Sequence, residues 1–159
     1  MQDMKLSFDQ KIVLLFTRLA MGWLFSYAGF IKIVDPSWTA KTYIAGTNVF
    51  PEFFRILLRP DILPKINLLN EWGLLLIGAA LIAGSFIRFT SFFGFVLMII
   101  YYLPIYPPEH EYIVNIHIIY ALVFLMFMVF PAGHILGLDA LFEKLETARK
   151  HPWFRALLG

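Results

Sequence analysis

The sequence predicts an all-α membrane protein: an antiparallel four-helix transmembrane bundle with an amphipathic segment in the first loop and an interfacial C-terminal helix. Composition points first to a membrane. The chain is 60% hydrophobic and 15% charged, with a mean hydropathy of +0.73, against about 45–50% and about 25% in soluble domains. Next come four apolar runs, near 12–34, 64–87, 90–106 and 112–131. At ~1.5 Å per residue they suit a hydrocarbon layer ~30 Å thick. Finally, the breaks between the runs fall at proline, glycine or charged residues. No second compositional regime is long enough to fold alone, so residues 1–159 read as one domain.

The first span opens at Ser7-Phe8-Asp9-Gln10, a capping box in which the Ser7 side chain caps the helix and Gln10 reaches back. Its apolar run is too long for a signal peptide and lacks a small-residue cleavage site, so it reads as a retained span. Asp35-Pro36 ends it, because proline biases the preceding residue away from helix. Arg18, Gly22, Phe25, Gly29 and Lys32 fall on one stripe at 100° per residue. That stripe faces protein, since a charge facing lipid costs ~2.5–3.5 kcal/mol near mid-helix.

Residues 36–63 are mixed. Phe50, Phe53, Phe54, Leu57 and Leu58 repeat at helical spacing opposite Glu52, Arg55 and Arg59, which predicts a short helix on the membrane or capping the bundle. The second span, from Pro64, carries Glu71, Leu75, Gly78, Ile82 and Ser85 on one stripe, with Ala80 and Gly84 as another close-packing surface. After Ile87-Arg88-Phe89 a third span runs from Thr90 to Tyr106, kinked by Pro104. The fourth, from Tyr112 to Phe130, carries Asn115 and His117. Helical geometry would set these two 200° apart, so that they could not share a partner. Asp139 is expected to cap a helix of about 140–150, within an interfacial tail of 139–158. Basic residues favour termini on the cytoplasmic side.

Within this topology Lys32, Glu71 and His117 share one depth in the outer third of the bilayer. Such a group fits a polar ligand or a proton site, and it equally fits a structural ion pair beside a backbone-bonded histidine. Arg18 lies 14 residues, or ~21 Å, from Lys32 and cannot join it. Its structural reading is an anchor to helix-end carbonyls near Phe86 or Pro131, or a pair with Asp139. His134, just past the fourth span, stands apart from any metal constellation. Glu109-His110-Glu111 reads as a solvated cluster, and no metal site is expected. The absence of cysteine excludes a thiol relay, a disulfide framework, or a thiolate or iron–sulfur site built from this chain. A net charge of +2, with its basic residues scattered, argues against nucleic-acid binding.

Several segments resemble the DoxX/DoxD family of small four-helix membrane proteins. They are Arg18-Leu19-Ala20-Met21-Gly22, Ala28-Gly29-Phe30-Ile31-Lys32, Glu71-Trp72-Gly73 leading to Gly78 and Arg88, Asn115-Ile116-His117, and Gly137-Leu138-Asp139. The likeness covers about residues 12–142. It implies a prokaryotic cytoplasmic membrane, and a quinone as the cofactor. It also implies a membrane subunit of a redox complex similar to thiosulfate:quinone oxidoreductase, which would not be catalytic alone. By position, Arg18, Lys32, Glu71 and His117 match the recurrent polar residues of that family. The alternative is a non-catalytic scaffold that anchors a partner protein. The expected associates are the bilayer and either a partner subunit or further copies of the chain. A small-solute or proton transporter is disfavoured by the four spans and the lack of an inverted repeat.

Overall fold

The computed structural model describes residues 6–47, 49–108, 113–145, 148 and 150–159. The expected cluster at 109–111, the predicted start of the fourth span at Tyr112, and Glu146 and Arg149 of the tail lie outside the described residues. The chain is all-α: α1 (Phe8–Val34), α2 (Lys41–Ala45), α3 (Pro51–Leu57), α4 (Leu63–Ala83), α5 (Ile87–Tyr102), α6 (Ile116–Val129), α7 (Asp139–Phe142) and α8 (Pro152–Leu157). Three helices, Phe8–Val34, Leu63–Ala83 and Ile87–Ile105, are long and apolar enough to cross a membrane, and α6 is a shorter apolar helix. This is a small, multi-pass helical membrane protein suited to a lipid bilayer.

α1 begins on the expected capping box, with both Ser7–Gln10 bonds made, and ends at Asp35. Ser37 bonds the Asp35 carboxylate through its hydroxyl and its amide, which holds that carboxyl below its usual range. The predicted stripe is the buried face: Arg18, Gly22, Phe25 and Gly29 are all inside. α4 runs antiparallel along it at backbone contact. A Cβ on Gly29 would lie 2.5 Å from the Leu75 nitrogen, so only glycine allows this approach. On the same stripe, Phe25 meets Phe124 edge-on at 5.1 Å and Tyr120 at 6.0 Å. The Phe124 ring in turn fills the space beside Gly94 of α5.

Several boundaries depart from the sequence reading. α4 stops at Ala83, where Gly84 takes a left-handed φ of 65° and closes the helix. α5 starts at Ile87, so Arg88 is helical, and it continues past Tyr102 as a single 3₁₀ turn at Leu103–Ile105 around Pro104. The first loop folds as two helices instead of one. Ala40, Ile44 and Phe54 form a small core with Trp38, Leu57 and Leu58, while Phe50 and Phe53 stay exposed. The tail bends after Phe142 and resumes as α8, so no single helix spans 140–150.

Candidate functional site

Polar side chains gather at both ends of the bundle, with an apolar groove between them. At the Lys32 end, Asn70 of α4 donates through Nδ2 to the Tyr101 hydroxyl, and the Tyr43 hydroxyl donates to the Tyr101 carbonyl. The Tyr43 hydroxyl keeps its proton, since burial pushes its pKa to about 12. The Asn70 amide oxygen is buried with no partner. His117 lies edge-on to Tyr101 at 5.8 Å.

Asn115 is the N-cap of α6, outside the helix, and accepts from the His117 and Ile118 amides. The expected 200° separation therefore does not apply: Asn115 Nδ2 sits 3.2 Å from His117 Nδ1. His117 stands in the first turn of α6. Lys32 Nζ lies 5.0 Å from the centre of the Trp38 ring. Glu71 is half-buried, and its charge reaches Lys32. No ion pair within 4 Å joins them among the described residues. Lys32 and Glu71 are thus neighbours in the electrostatic sense, whereas His117 joins α4 through Tyr101 and Asn70.

At the opposite end Arg18 and Asp139 are fully buried. Arg18 donates to the carbonyls of Ala132, Ile135 (2.9 Å) and Leu136 (3.3 Å), which is its predicted structural role. Asp139 does not cap its own helix. Its carboxylate accepts from the Phe86 (2.6 Å), Ile87 (3.0 Å) and Gly159 (2.8 Å) amides and so caps the start of α5. The 132–139 segment is tied down further by Leu138 and Asp139 amides donating to the Ala83 and Gly84 carbonyls. Sequence reasoning missed the cluster beside it. His134 touches the Gly159 carbonyl through Nδ1 and the Glu143 carboxylate through Nε2 (2.9 Å), and Arg155 donates to the same carboxylate at 2.6 Å. Arg155, then His134, holds the Glu143 carboxyl below its usual range against the opposing effect of burial. The only available signal was the i, i+9 pairing of opposite charges, which is too loose to read from a sequence.

Between the two ends, a groove of about 750 Å³ separates α4 from α5, within the ~300–1,000 Å³ of ligand pockets. Its walls are apolar, formed by Leu69, Gly73 and Ile77 on one side and Phe93, Leu97 and Ile100 on the other. Gly73 leaves a gap there, since a Cβ at that position meets nothing within 4 Å. At the Lys32 end the groove reaches Leu69 and Ile100, each one residue from the Asn70–Tyr101 bond. At the other end it reaches Ser85, Phe86, Thr90 and Leu157.

No known protein family, curated protein or solved structure matches this chain. The functional argument therefore rests on the groove and on the polar groups at its ends. The described residues contain no group of three or more metal-ligating side chains.

Proposed function

We propose that this chain is an integral membrane subunit of a redox complex, quinone-linked and similar to thiosulfate:quinone oxidoreductase, and belongs with the DoxX/DoxD proteins it resembles. In this reading α1, α4, α5 and α6 form an antiparallel four-helix transmembrane bundle in a prokaryotic cytoplasmic membrane, with cytoplasmic termini and the Lys32 end outward. The observation that carries the reading is the α4–α5 groove. It is apolar along its length, and its lining residues Leu69 and Ile100 are the chain neighbours of Asn70 and Tyr101, where the Asn70 amide oxygen is buried with no partner.

The residues present fit a quinone-type ligand. The apolar walls suit a hydrocarbon tail and exclude water. Asn70 Oδ1, which has no partner, is the acceptor offered to a ring hydroxyl. The Tyr101 hydroxyl, which accepts from Asn70, keeps its own proton to donate to a ring oxygen. Glu71, next in sequence to Asn70, is the nearby carboxyl group that could exchange a proton with the ligand. When bound, a quinone supplies two-electron, two-proton chemistry, and a partner subunit supplies the electrons.

Gentle purification from the native membrane should yield extractable quinone and a co-purifying partner. Glu71→Gln should abolish quinone-dependent turnover of the complex while leaving assembly intact. Gly73→Phe, which projects into open space in the groove, should strip the quinone. Normal turnover in the first variant together with full quinone content in the second would refute the proposal.

A scaffold function is the second reading, and one observation favours it. The small core around Ala40, Ile44 and Phe54 builds the first loop into a folded cap with Phe50, Phe53 and Ile56 exposed. Under that reading, deleting α3 would release the partner and Glu71→Gln would change little.

A further inference from the structure

We infer that residues 152–159 form a proton-held cover on the Arg18 end of the groove, clasped by a His134 imidazolium between the Glu143 carboxylate and the Gly159 carbonyl. The argument begins with donors and acceptors. Both ring nitrogens of His134 face an oxygen that can only accept: Gly159 O at Nδ1, and Glu143 Oε2 at Nε2. A neutral imidazole has one N–H and one lone pair, so it satisfies one contact and sets a lone pair against an oxygen at the other. Only the doubly protonated ring satisfies both. Arg155, bonded to the second Glu143 oxygen, keeps the carboxylate ionised, so the proton belongs on the ring.

The clasp bears on the groove because the same tail forms its end wall. Leu157 lines the groove, Phe154 packs edge-on against Phe86 at 5.6 Å, and Leu158 is buried. Among the described residues, the charged groups bonded to His134 or to its partners include Glu143, Arg155 from α8, and Asp139, which holds the Gly159 amide. Arg18 reaches the carbonyls on either side, at Ala132 and Ile135, from α1. Asp139 and Arg18 are fully buried and fixed by backbone bonds. His134 is partly exposed, so bulk water reaches its ring. Losing its proton sets a lone pair against one of the two oxygens and opens the clasp, leaving the Gly159–Asp139 and Arg155–Glu143 bonds to seat the tail alone, and Leu157 lifts from the groove. The cover depends on the groove as a cavity and stands whether or not a quinone fills it, so its test reads the tail directly.

The chain has no cysteine, so Ala156→Cys places a single nitroxide label on the exposed side of α8. The full chain in lipid nanodiscs is compared by electron paramagnetic resonance at about pH 5.5 and about pH 8.5, either side of neutrality. The open-to-closed ratio of the tail should rise roughly tenfold at the higher pH, the expected effect of losing one charge-assisted hydrogen bond. Two further variants should abolish the response in opposite senses. His134→Gln has one donor group and no titration, so the label is mobile at both pH values. Glu143→Gln can donate to the lone pair of a neutral His134 while still accepting from Arg155, so the label is immobile at both. Identical spectra at the two pH values in the parent chain would overturn the proposal, as would an undiminished pH response in both variants.

Discussion

Arg18 and Asp139 are both fully buried and oppositely charged, yet no ion pair within 4 Å joins them. Each is instead held by backbone: Arg18 by three carbonyls of 132–136 through its two terminal nitrogens, with its buried Nε left without a partner, and Asp139 by three amides from the start of α5 and the tail. The two charges brace opposite sides of the same turn, and each keeps the other from being an isolated charge in a low-dielectric interior. Asp139→Ala should therefore cost about 3–5 kcal/mol, the usual penalty for breaking a buried charged network. Thermal unfolding in detergent measures this, and a midpoint equal to that of the parent chain would contradict it.

The glycines of α1 and α4 are not equivalent. A methyl group at Gly29 runs into the α4 backbone at Leu75 and Glu71, so Gly29→Ala should push the helices apart and destabilise the fold. The space beside Gly73 is open, and Gly73→Ala should gain up to about 1 kcal/mol from helix propensity. Opposite shifts in the unfolding midpoint of the two variants are the expected result.

Lys32 faces Trp38 and touches no carboxylate, so its attraction to Glu71 acts across a gap. Lys32→Gln and Glu71→Gln should each leave stability within about 1 kcal/mol of the parent, the range of weak ion pairs. Denaturant titration checks this, and a larger loss in either variant would make the pair a structural lock.

Asn115 caps α6 with two amide bonds, and Asn115→Ala should cost about 1 kcal/mol. Loss of the cap also frees the His117 ring. Faster hydrogen exchange at the amides of residues 117–119, with the rest of α6 unchanged, is the expected signature.

Glu143 adds an acid limit to the tail clasp. Its folded-state pKa lies below the ordinary carboxyl value, so its contribution is fully present above that value and is lost as pH falls through the lowered one. The label on α8 should therefore mobilise a second time in strongly acidic buffer, making tail seating a bell-shaped function of pH. A monotonic curve down to about pH 2, below the carboxyl range, would contradict the assignment of Glu143 as the ionised partner.

The apolar runs, the capping box at Ser7 and the inward stripe of α1 were legible in the sequence because each follows a local rule of period, cap or charge cost. Asp139 shows where such rules stop. Its position before a helical pattern reads as a cap for the residues that follow, but the donors lacking partners at Phe86 and Ile87 are brought to it by the fold. Asn115 shows the same limit at smaller scale: a helix start at Ile116 instead of Tyr112 turned an apparent 200° separation into a contact. The groove was illegible for a different reason. It arises where α4 and α5, though consecutive, pack mainly against other helices, and no periodicity in either sequence announces a gap.

The bonds that hold Arg18 carry a consequence for how the protein is made. The first carbonyl that its guanidinium meets is 114 residues further along the chain. During synthesis α1 reaches the bilayer long before that carbonyl exists, and for that interval the cation must be held by lipid phosphate, by water or by the insertion machinery. The handover comes only with residues 132–136, so a chain halted before them should leave its first helix shallow in the membrane or still attached to its insertase.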